Sequence, residues 1–180
     1  MSPEKRVFSL KRPEKEQAVL DPVNPELIHS EIDKLRNSGA FLFKQRNYEL
    51  MLAPSEEIPN LLTEIGRLRE ITFRAVGEGT NLPLDLDTFD YHYQHLILWD
   101  SDELKLAAAY RLGLGPGIYQ KFGIKGFYVP TLFKVDEAMH KIFAQSLEMG
   151  RAFIVKEQQN KPLPLFLLWR GIFEVVQKKS

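Results

Sequence analysis

The 180-residue chain has no cysteine, no excess of either charge and no long apolar run, and each lack removes a class of protein. Without cysteine there is no disulfide framework, no thiolate nucleophile and no Cys-ligated zinc or iron–sulfur site. Its 24 basic and 24 acidic side chains cancel, so the broad positive field of a dedicated nucleic-acid binder is missing. No stretch of about 18 uncharged apolar residues offers a membrane span, and the charged start MSPEKRVFSLKRPEKEQAV lacks the apolar core of a secretory signal. A cytoplasmic protein is expected. The four histidines, His29, His92, His95 and His140, include no helical i, i+4 pair, so no metal site is expected.

What is present reads as one sheet domain. Residues 1–21 mix Lys, Arg, Glu and Pro with few large apolar residues and are expected to form a flexible arm. From Asn24-Pro25-Glu26 a capped amphipathic helix runs to the stop at Asn37-Ser38-Gly39. Phe41 to Phe43 and Tyr48 to Leu52 suit strands, and Ser55-Glu56-Glu57 opens a long helix ending before Gly77. His95 to Trp99 and Lys105 to Leu112 flank an acidic turn as a hairpin, terminated by Gly113, Gly115, Pro116 and Gly117. Val135 to Ala144 is compatible with helix, Ser146 to Val155 with a buried strand, and Leu163 to Val176 with a strongly apolar helix. The alternation implies an α/β (α+β) domain.

Charge is concentrated in three places. Arg67, Glu70 and Arg74 read either as the solvated face of an amphipathic helix or as part of a polar site. The run D-L-D-T-F-D (Asp85, Asp87, Asp90) places like charges that repel unless solvated or met by cations. Arg111, Glu148 and Arg151 lie within apolar strands, where an unpaired charge is costly. Strict alternation along Leu147-Glu148-Met149-Gly150-Arg151 puts Glu148 and Gly150 on one face, opposite Met149 and Arg151. A structural ion pair between Glu148 and Arg111, or a shared polar ligand, would account for them.

The ordered succession R-L-R-E-I-T-F-R, D-L-D-T-F-D, H-L-I-L-W-D, A-A-Y-R-L, L-E-M-G-R-A-F-I-V and L-L-W-R-G-I resembles the GNAT-like acyltransferases of the hemolysin group. These are related to ornithine- and glycine-lipid N-acyltransferases and, more distantly, to acyl-homoserine-lactone synthases. The resemblance covers about residues 25–176. It implies a GNAT-like mixed central sheet flanked by helices. It also implies that Arg69 and Phe73, Asp87 and Asp90, Arg111, and Glu148 with Arg151 organise the acceptor side of the site. Within that set Arg69, Phe73, Asp90 and Arg151 would bind substrate, while Glu148, Asp87 and Arg111 would be catalytic, Glu148 being the first choice of base. Ala152 and Lys156 stand where the family commonly has serine and proline. The turn from Val155 to Pro162 would meet the donor through Val155, Gln158 and Gln159. It has no glycine, which makes it a poor pyrophosphate cradle and favours an acyl carrier protein over coenzyme A as donor.

These readings define an expected N-acyltransferase passing a fatty acyl group from an acyl-carrier-protein (or acyl-CoA) thioester to an amine such as glycine or ornithine, in bacterial aminolipid synthesis. No tightly bound cofactor is implied. The rivals are a non-catalytic remnant or binding module and an acetyl-CoA N-acetyltransferase. Lys156, Lys161, Arg170, Lys178 and Lys179 offer a basic rim to an acidic carrier protein. GNAT domains continue past the last helix, so residues 22–180 read as a domain lacking its C-terminal part. An all-round apolar last helix beside an unpaired strand predicts self-association, aggregation or peripheral attachment at the inner membrane.

Overall fold

Asn24 accepts from Glu26 N at 3.0 Å and Pro25 occupies the first turn, so helix α1 (Pro25–Arg36) starts where the sequence places it. The computed structural model describes residues 15–179. Strands β1 (Phe41–Gln45) and β2 (Tyr48–Pro54) form a hairpin, followed by a 3-10 turn and helix α2 (Pro59–Arg74). No side chain of its own caps α2. Instead the buried Glu31 carboxylate of α1 accepts from Asn60 N at 2.9 Å and Leu61 N at 2.8 Å. An anion on those otherwise unpartnered N–H groups fixes one helix against the other.

Strands β3 (Gln94–Asp100) and β4 (Lys105–Leu114) make a second hairpin, and β5 (Leu147–Ile154) closes a sheet of order β1-β2-β3-β4-β5. The α/β (α+β) class is as expected, a central sheet flanked by helices, with one difference. All four pairings are antiparallel instead of mixed. The reason lies between β4 and β5, where an excursion through α3 (Gly115–Phe122), α4 (Val129–Leu132) and α5 (His140–Ala144) leaves and returns at the same end of the sheet. Gly115 N meets Ser146 O at 2.9 Å across its neck. Gly-Pro-Gly, expected as a terminator, instead begins α3, since proline is tolerated in a first helical turn. Only the last part of the expected Val135–Ala144 helix is α-helical; Glu137–Met139 is a 3-10 turn capped by Asp136.

Alternation along the strands divides the core. Met51, Ile97, Trp99, Ala109 and Phe153 face α1 and α2, while Leu50, Leu96, Leu98, Ala108 and Leu112 face helix α6 (Pro162–Lys179). From α6, Leu167, Leu168, Ile172 and Val175 are buried on the sheet, each worth about 1.5–3 kcal/mol. Its outer stripe of Leu165, Phe166, Trp169, Phe173 and Val176 is exposed. Among the described residues no helix is long and apolar enough to cross a membrane. Strand β5 is the sheet's edge, as expected, and is mostly half-buried where a buried strand was expected.

Of the expected flexible arm, residues 1–14 lie outside the described residues. The remainder is laid along the turn after α2, with Gln17 N on Asn81 O at 3.0 Å and Leu20 N on Pro83 O at 3.1 Å.

A Cβ at Gly115 would stand 2.5 Å from Ser146 O and also overlap Phe143 O, both backbone atoms. Gly115→Ala should therefore cost about 1–3 kcal/mol by overpacking, read as a lower urea midpoint at unchanged m-value.

Candidate active site

Helix α2 turns Arg69 inward beneath the segment that carries the three aspartates. The guanidinium forks onto Asp90, Nη1 to Oδ1 at 3.0 Å and Nη2 to Oδ2 at 2.8 Å. Its Nε donates to Asp85 Oδ2 at 3.1 Å, and Nη2 also donates to the Asp85 carbonyl. Arg69, Asp85 and Asp90 are almost wholly buried. The D-x-x-D spacing has a local cause as well. Asp87 caps the 3-10 turn Thr88–Tyr91 by accepting from Phe89 N at 2.8 Å, and Asp90 reaches back to Asp87 N at 2.8 Å. This reciprocal capping box holds Asp90 from within its own turn, on the side that meets Arg69.

The sheet supplies two more arginines. Arg111 of β4 donates through Nη1 to Asp87 Oδ1 at 2.6 Å and to Asp90 Oδ2 at 3.1 Å. Its guanidinium carbon lies 5.4–5.8 Å from the ring centres of Phe89, Tyr93 and Tyr128, an aromatic surround that suits a desolvated cation. The Arg111 Nε–H has no acceptor among the described residues. Arg151 of β5 reaches Asp85 Oδ2 at 3.3 Å and Asp87 Oδ2 at 3.9 Å. This corrects the expected placement of Arg151 opposite Glu148. Between the pairs Ala109↔Phe153 and Arg111↔Gly150, β5 carries one residue more than β4, and Arg151 adopts φ +55°. The resulting bulge breaks the two-residue period and returns Arg151 to the face of Arg111 and Glu148.

Glu148 sits beside this network and is not bonded to Arg111. Its Oε1 accepts from Val129 N at 2.8 Å, and its Oε2 accepts from Tyr128 N at 2.8 Å and from the Tyr93 hydroxyl. The carboxylate thus staples the excursion to the sheet and orients two rings around Arg111.

Charge assignments follow from these contacts. Burial alone would raise Asp90, but Arg69 and Arg111 more than offset it and hold its carboxyl below the ordinary range. Burial pushes Asp85 up, only partly countered by Arg69 and Arg151. Burial lowers His95, whose Nε2 lies 2.9 Å from the Asp90 carbonyl. That oxygen can only accept, so Nε2 carries the proton of the neutral imidazole that burial favours. Burial, and then the bond to Glu148, raise Tyr93, which stays a phenol.

The structure therefore gathers Arg69, Asp87, Asp90, Arg111 and Arg151 into one network with Glu148 adjoining. It does not arrange them round an open cavity, because opposite charges fill one another's hydrogen-bonding sites. Phe73, a turn beyond Arg69 on α2, packs against the apolar core instead. Val155 is buried in that core, and Gln158 is engaged with Tyr48 and Asp100, at the far end of β3 from Arg111's partner His95. Gln159 bonds the Ile154 carbonyl. Asp85, Tyr93, Tyr128 and His95 join the site without having been singled out for it. Asp85 was visible in the acidic run, whereas the aromatic residues had no local signal. Glu70 does not lie on a wet face. It is fully buried and accepts from Thr80 N and Asn81 N at 2.8 and 2.9 Å and from Arg74.

A family model described as an acetyltransferase (GNAT) domain matches residues 68–169, from the turn of α2 bearing Arg69 into α6. The chain belongs to that family. Two curated relatives are similar to it, both named glycine N(alpha)-acyltransferase. The one from Bacteroides thetaiotaomicron is 31% identical over 149 residues, covering 80% of this chain and 44% of the relative. The one from Phocaeicola vulgatus is 29% identical over 149 residues, covering 80% and 45%. The chain thus spans less than half the length of either. No solved structure matches.

His95 favours its neutral form in the folded state, so its contribution to stability is complete above about pH 6.5 and is lost as pH falls below it. The wild-type unfolding free energy should decline between about pH 7 and about pH 5. In His95→Gln, which keeps an N–H donor and cannot be protonated, that decline should disappear. Asp90→Ala, which leaves two buried guanidinium groups short of a partner, should cost about 3–5 kcal/mol by urea denaturation.

Proposed function

We propose that this domain transfers a fatty acyl group from an acyl thioester on acyl carrier protein to the amine of a small amino acid such as glycine or ornithine, as a step in bacterial aminolipid synthesis. GNAT membership supports acyl transfer, and the name glycine N(alpha)-acyltransferase shared by both relatives supports an α-amine acceptor. The observation that carries the reading is where the network meets solvent. Asp87 and Arg151 have side chains 28% and 24% exposed. Beside them, a Cβ at Gly150 would meet nothing within 4 Å. We place the acceptor in this open space, beside the bulge.

In the step we infer, the amine nitrogen attacks the thioester carbonyl carbon, the carbon–sulfur bond breaks and the amide forms. The nitrogen's proton passes to a carboxylate and the thiolate leaves, to be protonated in turn. No covalent enzyme intermediate is required, since the thioester is already activated and positioning plus one base suffices. Asp87 is better placed than Glu148 to take that proton. Among the described residues Asp87 Oδ2 has only the long contact to Arg151, whereas both oxygens of Glu148 are engaged by three donors. Arg151, with the longest ion pairs of the three arginines, is available to the acceptor's carboxylate.

A carrier-protein donor is supported by Lys156, Lys161, Arg170 and Lys178, exposed around β5's end and along α6. Contact with an acidic partner there would place the reaction in the cytoplasm or at the inner membrane's surface, and would weaken as salt rises.

With an acyl-carrier-protein thioester and glycine or ornithine, Asp87→Asn should lower kcat by about 10² or more in protein that is still folded at the assay temperature, with a lower melting temperature because the buried Arg111 loses a charged partner. Glu148→Gln should lower stability as well as rate, because it loosens the Tyr128–Val129 staple. Undiminished turnover in Asp87→Asn would remove it as the base, and undiminished turnover in the double variant would remove the carboxylate mechanism. Tight, salt-insensitive binding of acyl-CoA without binding of the carrier protein would overturn the donor assignment.

A further inference from the structure

At the end of the sheet that bears the polar network, but on the α6 face, a cavity of about 440 Å³ opens between the strands and the excursion. Small-molecule sites commonly measure about 300–1,000 Å³. Leu114 ends β4 and Leu147 begins β5, and both line it; Pro116 and Ile118 of α3 and Val175 of α6 complete an apolar wall. Among the described residues that line it there is no Asp, Glu, Lys or Arg. Its polar groups are few and mostly engaged. Ser146 Oγ donates to the Phe143 carbonyl at 3.0 Å, and the ring nitrogens of His92 face the Thr88 and Gly126 carbonyl oxygens at 3.0 and 2.9 Å. The neutral amides of Gln94 and Gln145 remain, the latter exposed to water. A phosphate, carboxylate or ammonium would be desolvated here with no opposite charge to meet it, whereas hydrocarbon loses nothing.

Strand β5 leads from this cavity to the acceptor space. Leu147 lines the cavity, and Gly150 lies three residues farther along, about 10 Å at strand spacing. Met149 pairs with Leu112 and so shares the α6 face. It is 42% exposed and lays a flexible apolar side chain along the way. Among the described residues no strand lies beyond β5, so a chain that starts over Gly150 has a route round this edge to the other face.

We propose that the outer part of a long acyl chain lies in this cavity, having turned round β5 over Met149 from a carbonyl at the Asp87–Gly150 edge. The acyl identity of the occupant rests on the transfer reading above; its uncharged character rests on the lining alone. The carbonyl stays beside the polar network and only hydrocarbon enters the cavity. The cavity thereby selects for length: a butanoyl group ends before Leu147, and a stearoyl group reaches past it.

N-stearoylglycine carrying a nitroxide at its chain end is titrated, below its micelle-forming concentration, into protein with assigned backbone amide signals. The amides of Leu114, Ile118 and Leu147 should broaden, while those of Trp99 and Leu106, at the opposite end of β3 and β4, stay sharp. Gly117 also lines the cavity, and a Cβ there would meet nothing within 4 Å, so Gly117→Phe adds bulk without overlap. This variant should bind unlabelled N-stearoylglycine tenfold or more weakly, bind N-butanoylglycine as the wild type does, and keep its unfolding midpoint. Broadening confined to other residues, an undiminished N-stearoylglycine affinity in Gly117→Phe, or an equal loss for both ligands overturns the proposal. Acyl transfer with the chain end placed elsewhere would sink this site and leave the transfer reading standing. A chain end in the cavity of a protein that transfers no acyl group would do the reverse.

Discussion

The buried guanidinium of Arg69 is the contact on which the acidic segment depends. It has almost no exposure to water and spends its donors on Asp85 and Asp90, two residues that no regular element would otherwise hold against α2. Removing one partner from such a pair leaves a charge that the interior cannot solvate, so each group locks the others in place. Asp87, Arg111 and Arg151 are then arranged around an already fixed pair. Where this network reaches the surface it has an acidic side chain and a basic one next to empty space, a useful combination for holding a zwitterionic acceptor.

Two backbone devices carry the arrangement from local sequence to site. The capping box presents Asp87 and Asp90 from one 3-10 turn, turning mutual repulsion into a shared pair of acceptors for arginine. The bulge in β5 places Arg151 on the face that also bears Arg111 and Glu148, and it leaves Gly150 with open space beside it. Glu148 adds a third constraint by tying the β4–β5 excursion to its own strand, so the rings of Tyr93 and Tyr128 stay around Arg111. The same residue types could have served as scattered surface charges; it is these constraints that bring them together.

Much of this was legible in the sequence where the signal is local. Asn24-Pro25 announced α1, short apolar runs bounded by turn residues announced β2, β3 and β4, and the crowded aspartates of D-L-D-T-F-D asked for cations. What escaped depends on long-range contacts or on a broken period. Arg151 was assigned to the wrong face because alternation assumes one residue per pleat, and nothing in L-E-M-G-R-A marks the extra one. Glu70 looked solvated because its partners, Thr80 and Asn81, return over it only once the turn after α2 has folded. Glu31 capping α2, and the three rings around Arg111, likewise bring together residues distant in sequence. The outer stripe of α6 was readable as apolar from its spacing, and the structure leaves it exposed.

The central claim is that acyl transfer takes place at the Asp87–Arg151 edge of the Arg69 network, over Gly150. The most direct measurement is the crystallographic position of the amide in a complex of the protein with an N-acyl amino acid. The account predicts the amide nitrogen within hydrogen-bonding distance of Asp87 Oδ2, about 3 Å, with the amino acid's carboxylate on Arg151. An amide bound on the α6 face of the sheet, or anywhere beyond reach of Asp87, would contradict it.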